Sequence, residues 1–370
     1  MLILLDCRPL QHAGAAGERT RLILAAAVAL ARDKAVEWLL LVDHTYRPGQ
    51  LTDLPEGRML TLRALPGRPG WMLWYDWQLP RLVKKHKPAL VMLTGGVAAA
   101  PVPAPQCLWM PVRANPKENP GKSLIPIYAS RLTDSLHHAE TIFCFSEKDK
   151  TWLTTRGNKD TRNVLVIHAA PSTMGGPIPI AEKDRIKQEY TQGKEYFFTN
   201  ASSAGEEDIV HLLKAFSLFK KRQHSNLQLA ITGAPDPGLQ VKLETYKYRQ
   251  DVHWFDPAVG KILMAAAYAA LFPFADDSLG MPLLDAWKAG VPALVSKEGL
   301  LAGIAADAAL AAGTGDSVAF AGYMMSVYKD EALRNELIGK GFARLASFDP
   351  EQTLDAIRTA LGKMSGCSIQ

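Results

Sequence analysis

Residues 272–296 read Phe-Pro-Phe-Ala-Asp-Asp-Ser-Leu-Gly-Met-Pro-Leu-Leu-Asp-Ala-Trp-Lys-Ala-Gly-Val-Pro-Ala-Leu-Val-Ser, and the folding of this run decides the architecture of the chain. An apolar strand ends at Leu271–Phe274, an acidic loop follows, a glycine and a proline open a helix, and a second strand begins at Ala293. Gly280 lets the backbone approach a ligand closely, and Pro282 suits a helix's first turn, where its missing N–H costs nothing. The unpaired amides of such a turn, backed by the helix dipole, make an anion site. Asp277 and Asp285 bracket Ser278, Leu279, Gly280, Met281 and Pro282. One carboxylate before the turn and one inside it can accept hydrogen bonds from sugar or ribose hydroxyls. The plainer alternative is an acidic helix N-terminus that complements the dipole, worth about 0.3–1 kcal/mol.

The same strand–helix rhythm extends in both directions, the pattern of open parallel α/β sheets. Strands are expected at Leu2–Leu5, Trp38–Val42, Leu60–Leu62, Ala89–Leu93, Leu108–Met110, Thr141–Phe145 and Val164–Ile167. Helices are expected at Glu18–Arg32, Trp74–Lys85, Ile127–His137 and Glu147–Thr155. Pro171 to Pro179 reads as a linker rich in proline and glycine. A second series follows at Tyr196–Thr199, Leu227–Thr232, Val252–Phe255, Ala269–Phe274, Ala293–Val295 and Ala308–Ala311. Between the first two of these, Ile209, Leu212, Leu213, Phe216 and Phe219 form one helical face. Asp349-Pro350-Glu351-Gln352 starts a last helix with the apolar stripe Leu354, Ile357 and Leu361. The expected organisation is a first domain over 1–175, a second over 180–348, and a C-terminal helix over 349–370.

A chain of 370 residues, 48% hydrophobic and 21% charged, has room for two ordinary cores. The opening apolar run is too short for a signal peptide and reads as a buried strand. Four scattered cysteines point to reduced core thiols and a cytoplasmic setting. A net charge of +5 is too weak to imply a nucleic-acid partner. The local cluster Arg81, Lys84, Lys85, His86 and Lys87 follows Trp71, Trp74, Tyr75 and Trp77. It suits peripheral contact with the inner face of a membrane, or else a solvated helix end beside ordinary core aromatics. No Gly-x-Ser-x-Gly, His-Glu-x-x-His, Walker or calcium-loop spacing occurs, so hydrolase, zinc-protease and P-loop chemistry has no support.

The 272–296 run resembles the donor-sugar signature of the group 1 (family 4-like) retaining glycosyltransferases, which have the GT-B fold. Asp277 and Asp285 fall where that family has two glutamates, with Gly280, Met281, Pro282, Leu283 and Leu284 between them. Ala286, Gly290, Val291, Pro292 and Ser296 continue the pattern. Leu5 to Leu10 with Gly14 and Gly17 resembles the family's first strand and glycine loop, and Ser146-Glu147 its strand end before the interdomain helix. Ser202 and Ser203 match the phosphate-facing turn, Ile231-Thr232-Gly233 the nucleotide-side strand end, and Gly315-Asp316 a downstream pair. The resemblance implies two Rossmann-like doubly wound domains facing a central cleft, with the last helix returning to the first. It implies Asp277 as the catalytic-site residue on the donor sugar and Asp285 on the ribose. The turn Ser278, Leu279, Gly280, Met281 and Leu283 would hold the diphosphate, with Gly14, Gly17, Ser202 and Ser203 also lining the donor. The implied substrates are a nucleotide-diphosphate sugar and a glycan or lipid-linked acceptor, with no metal or other cofactor.

Several positions depart from the family pattern. Where an arginine and a lysine usually face the diphosphate, this chain has Gly205-Glu206-Glu207-Asp208. No histidine follows the first domain's middle strand, Gly303 stands where a glutamate is frequent, and both signature acids are one methylene shorter. Replacement bases are expected at Arg8, Arg19, Arg113 or Lys117 in the first domain, or Lys297 in the second, with Glu206 and Glu207 turned outward. The alternative is a non-catalytic GT-B protein acting as a partner or regulator in glycan assembly.

Overall fold

Two parallel sheets are assembled from unbroken apolar runs. The structure, a computed structural model, describes residues 1–13, 18–31, 36–51, 54–99, 101–110, 127–158, 160–169, 176–201, 204–274 and 279–365. The first sheet contains β1 (Leu2–Asp6), β2 (Glu37–Asp43), β3 (Arg58–Leu62), β4 (Leu90–Leu93), β5 (Gln106–Trp109), β6 (Thr141–Cys144) and β7 (Val164–Val166). Their order is β3-β2-β1-β4-β5-β6-β7, parallel throughout. β4, β5 and β6 are buried along their whole length, as strands covered on both faces must be.

The second sheet contains β8 (Tyr196–Asn200), β9 (Gln228–Thr232), β10 (Val252–Phe255), β11 (Ala269–Phe272), β12 (Ala293–Ser296) and β13 (Leu310–Ala312). It is parallel in the order β10-β9-β8-β11-β12-β13. The chain separates into two units, Met1–Ala169 with Pro350–Gln370, and Ala170–Asp349. In the first, the strand order reverses between β1 and β4; in the second, between β8 and β11. Ligands of doubly wound sheets bind beyond the carboxyl ends of the strands at such a reversal. The 272–296 run therefore leaves β11 at the point where a ligand is expected.

The core of the first unit is tryptophan-rich, with Trp38, Trp74 and Trp109 almost wholly buried. In the second, Ile209, Leu212, Leu213, Phe216 and Phe219 form the inner face of the helix Glu206–Gln223. Phe219 meets Phe197 of β8 edge-on at 5.1 Å. The last helix, Pro350–Ser365, packs on the helix Glu18–Ala31 and on β4, burying Ile357 and Leu361 completely. Cys7, Cys107 and Cys144 are free thiols in the core.

Most expected elements recur with ends shifted by a residue or two, and two differ in kind or register. The helix expected at Trp74–Lys85 starts at Gly67 and contains a π turn over Trp74–Gln78 before ending at His86. The last strand lies at Leu310–Ala312 and not at Ala308–Ala311, because its register pairs Leu310 with Leu294.

Candidate functional site

The site is built on the second unit, where β11 hands over to the helix Met281–Lys288. Leu279 and Gly280 are both left-handed, with φ +57° and +78°. For Leu279 that conformation costs roughly 1–2 kcal/mol, and its side chain is locked in place by full burial. Gly280 is required twice over. Its φ favours glycine, and a Cβ there would lie 2.2 Å from Ile304 Cδ1.

The first turn of this helix leaves fewer amides unpartnered than the sequence suggested. Leu283 and Leu284 both donate to the Gly280 carbonyl, at 3.0 and 3.1 Å. Pro282 has no N–H. The amides left without a partner among the described residues are those of Leu279, Gly280 and Met281. Leu283 therefore contributes a buried side chain and not a phosphate-binding amide. Asp285 is half-buried one turn along the same helix. Asp277, Ser278, Ser202, Ser203, Gly14 and Gly17 lie outside the described residues, as do Arg113 and Lys117.

The acidic stretch after β8 is resolved by pairing. The Gly205 N–H donates to the Asp208 carboxylate at 3.0 Å, closing the N-terminus of the helix Glu206–Gln223. Glu206 is ion-paired with Lys242 of the helix Pro237–Glu244, and this carboxylate raises the pKa of the lysine. Lys242 supplies positive charge beside a stretch that has none of its own. It escaped the sequence reading because it lies 36 residues away, on another helix.

The downstream pair has a packing role. Gly315 is left-handed at φ +80°, and a Cβ there would lie 2.8 Å from His211 Nδ1. Asp316 accepts from the Ala319 N–H at 2.9 Å and caps the helix Ser317–Lys329. Together with Asp208, Pro273 and Phe320, these residues line a shallow depression at the carboxyl edge of the second sheet. Glu298 joins the ends of β12 and β13. It accepts from the Thr314 hydroxyl and amide at 2.7 and 2.6 Å and from Ser296 Oγ at 3.0 Å. These bonds, led by that from the Thr314 hydroxyl, hold its carboxyl below the usual range. Lys297 beside it is exposed.

In the first unit, the arginines expected to face a diphosphate are committed elsewhere. Arg8 is 2% exposed. It bonds to Asp43 at 3.1 Å and to the carbonyls of Gly70 and Leu65 at 3.3 and 3.0 Å, and stacks over Trp71 at 3.9 Å. Arg19 donates to the carbonyls of Met110 and Trp109 at 2.9 Å each and to that of Thr94, tying β4 to β5. Desolvation lowers its pKa to about 10. Both expectations are thus corrected: the two guanidinium groups hold strand ends together. Asp6, at the carboxyl end of β1, accepts from Tyr75 OH at 3.1 Å and from the Arg8 amide at 3.3 Å. Burial raises its pKa to about 6 against the pull of the Tyr75 hydroxyl. His137 and His138 bond to carbonyls of their own helix and end it in solvent.

Among the described residues no helix is long and apolar enough to cross a membrane, and no group of three His, Cys, Asp or Glu is arranged to hold a metal ion. Residues 181–344 match the family described as Glycosyl transferases group 1. No curated protein sequence matches the chain. Similar solved structures include sucrose-phosphate synthase from Thermosynechococcus elongatus, 13% identical at a TM-score of 0.74 with 99% of each chain covered. A glycosyltransferase from Rickettsia africae ESF-5 is 12% identical at a TM-score of 0.71, with 98% of each chain covered. HepE from Anabaena, solved with UDP-glucose, is 13% identical at a TM-score of 0.71, covering 98% of this chain and all of its own. At these identities the likeness is one of fold, and the two doubly wound units have the GT-B architecture.

Proposed function

We propose, from the match of residues 181–344 to the family described as Glycosyl transferases group 1, that the chain moves a hexose from a nucleotide-diphosphate sugar to a glycan or lipid-linked acceptor, with retention at the anomeric carbon. The observation that carries this reading is the Leu279–Gly280–Met281 turn. Its three unpartnered amides stand at the strand-order reversal, four residues before Asp285 at the nearest. In the proposed reaction the bond from the anomeric carbon to the diphosphate oxygen breaks. A bond to the acceptor hydroxyl oxygen forms, and the proton of that hydroxyl passes to the departing diphosphate. The three amides would stabilise charge gathering on the diphosphate leaving group, as fixed backbone dipoles do in a water-poor site. Asp285 would accept from the ribose hydroxyls and Asp277 from the donor sugar, with Ser202 and Ser203 beside the phosphates and Gly14 and Gly17 also lining the donor.

Calorimetric titration with UDP and with GDP tests the reading. Saturable binding of one of them, weakened tenfold or more by Asp285→Ala, is expected. Folded protein that binds neither nucleotide would overturn it.

A second reading is favoured by one feature: the turn after β8 carries Glu206 and Asp208, and the base it meets, Lys242, is already paired. We propose as the alternative a non-catalytic GT-B protein that serves as a partner in glycan assembly. It requires that Asp277→Ala and Asp285→Ala leave cellular glycan formation intact. Loss of the glycan with folded variant protein would exclude it.

A further inference from the structure

Between Arg58 and Lys87 the chain carries seven basic residues and one acidic residue, a net +6 against +5 for the whole chain. The acid, Asp76, is ion-paired with Arg131 of the helix Tyr128–His138. The helical run Gly67–His86 turns Trp71, Trp74, Tyr75, Leu79 and Val83 into the core. On the other side, strict four-residue spacing from Arg68 would pass through Met72, Asp76 and Pro80. The π turn Trp74–Gln78, closed by the Leu79 N–H on the Trp74 carbonyl, inserts one residue. It shifts the outer stripe to Arg68, Met72, Trp77, Arg81 and Lys85, with Lys84 adjacent, all exposed.

Large apolar groups share this face with the bases. Met72 is 45% exposed, Trp77 47%, and Leu65, just ahead of the helix, 54%. The Arg81 guanidinium lies 3.4 Å from the Trp77 ring centre. Among the described residues, Arg68, Arg81, Lys84 and Lys85 pair with no carboxylate.

We propose that this face of the first unit docks on an anionic lipid bilayer. Each base held near such a surface raises partitioning roughly fivefold. The Trp77 ring suits the headgroup level, and Met72 and Leu65 reach the acyl boundary beneath it. A nucleic acid would match the bases but leave the apolar half of the patch in water. A bilayer matches both halves. The surface is independent of the donor-site chemistry, and so is its test.

The full chain is floated with vesicles of phosphatidylcholine alone and with vesicles containing roughly a third phosphatidylglycerol, at low and high salt. Flotation with the anionic vesicles only, reduced by salt, is expected. The double variant Arg81→Glu/Lys85→Glu should lower partitioning more than tenfold with its thermal unfolding unchanged. Trp77→Phe should still float, but the quenching of protein fluorescence by brominated acyl chains should disappear. Four results would each overturn the proposal: no flotation of folded protein, equal flotation of the charge-reversed variant, quenching that persists in Trp77→Phe, or retention of an RNA duplex without flotation.

Discussion

Gly280 shows how tightly single positions are constrained in this chain. A methyl group there meets Ile304 Cδ1 and sits on a left-handed backbone. Gly280→Ala should therefore cost about 2–4 kcal/mol, roughly 1 from the backbone and the rest from overpacking. Urea denaturation can separate the two parts. Ile304→Val deletes the opposing Cδ1, so the double variant should regain the packing part and keep only the backbone part. Arg8 makes a second residue-scale case. Arg8→Ala takes the cation from the buried Asp43 carboxylate, which keeps hydrogen bonds from Gln11 and Thr45, and a loss of about 2–4 kcal/mol in unfolding free energy is expected, with nucleotide affinity unchanged in calorimetry. Asp6 supplies a pH signature. Its folded pKa of about 6 lies above its unfolded value, so the native state binds the proton more tightly. Its contribution to stability therefore rises as pH falls from 7 through 6 towards 4 and is lost as pH rises through 6. The difference between wild type and Asp6→Asn should shift by up to about 3 kcal/mol over that range in denaturant titrations. The sequence marked Gly280 as a glycine that opens a helix and lets a ligand approach, whereas its left-handed backbone and its contact with Ile304 emerge only in the fold. The fate of Arg8 could not be read from the sequence. Its partners Asp43, Leu65 and Gly70 are distant in sequence and converge only once β1 and β2 pair.

At the scale of elements, the helix Glu206–Gln223 has an acidic first turn and a basic last turn, which complements its dipole at both ends. That arrangement opposes a neighbouring diphosphate, and Lys242 offsets it in part. Glu206→Gln should release Lys242 with little loss of stability, since the pair is surface-exposed. If the preceding turn faces the phosphates, the variant should bind a nucleoside diphosphate severalfold more tightly while affinity for the nucleoside stays the same. Calorimetry that finds neither affinity changed would place the phosphates elsewhere. Strand positions were legible because buried parallel strands are written as unbroken apolar blocks: Val252–Phe255 coincides with its expected span and Leu227–Thr232 differs by one residue. The π turn was invisible. Trp71, Trp74, Tyr75 and Leu79 satisfy an ordinary helical period closely enough to hide one inserted residue.

At the scale of the whole molecule, alternation of strand and helix announced an α/β fold, and the run Pro273, Asp277, Gly280, Pro282, Asp285, Gly290 and Pro292 in register, more than the two acids alone, pointed to the family that residues 181–344 match. Alternation does not state which strands are neighbours. The reversals between β1 and β4 and between β8 and β11 emerge only from the pairing. Of the expected donor-site positions, Leu279, Gly280, Met281, Leu283 and Asp285 can be followed in the fold, whereas Asp277 and the serines lie outside the described residues. Packing of the last helix on the first unit makes a molecule-scale prediction. Ile357→Ala should cost about 2–5 kcal/mol, and amide hydrogen exchange should quicken in Glu18–Ala31 and β4 while β8 to β13 keep their protection.

A polypeptide leaves the ribosome from its amino end, and this one closes its first unit with residues made only after the whole of its second. The seven strands of the first sheet have been synthesised by Val166, yet the segment that covers Glu18–Ala31 and β4 begins at Pro350. At ~5–20 residues per second the nascent chain waits roughly 10–40 s between those two points. The second sheet is made within that interval and lacks no later strand or helix of its own. During translation the second unit is therefore complete before the first, and a stop codon just ahead of Pro350 would leave the first unit waiting for a partner that never arrives.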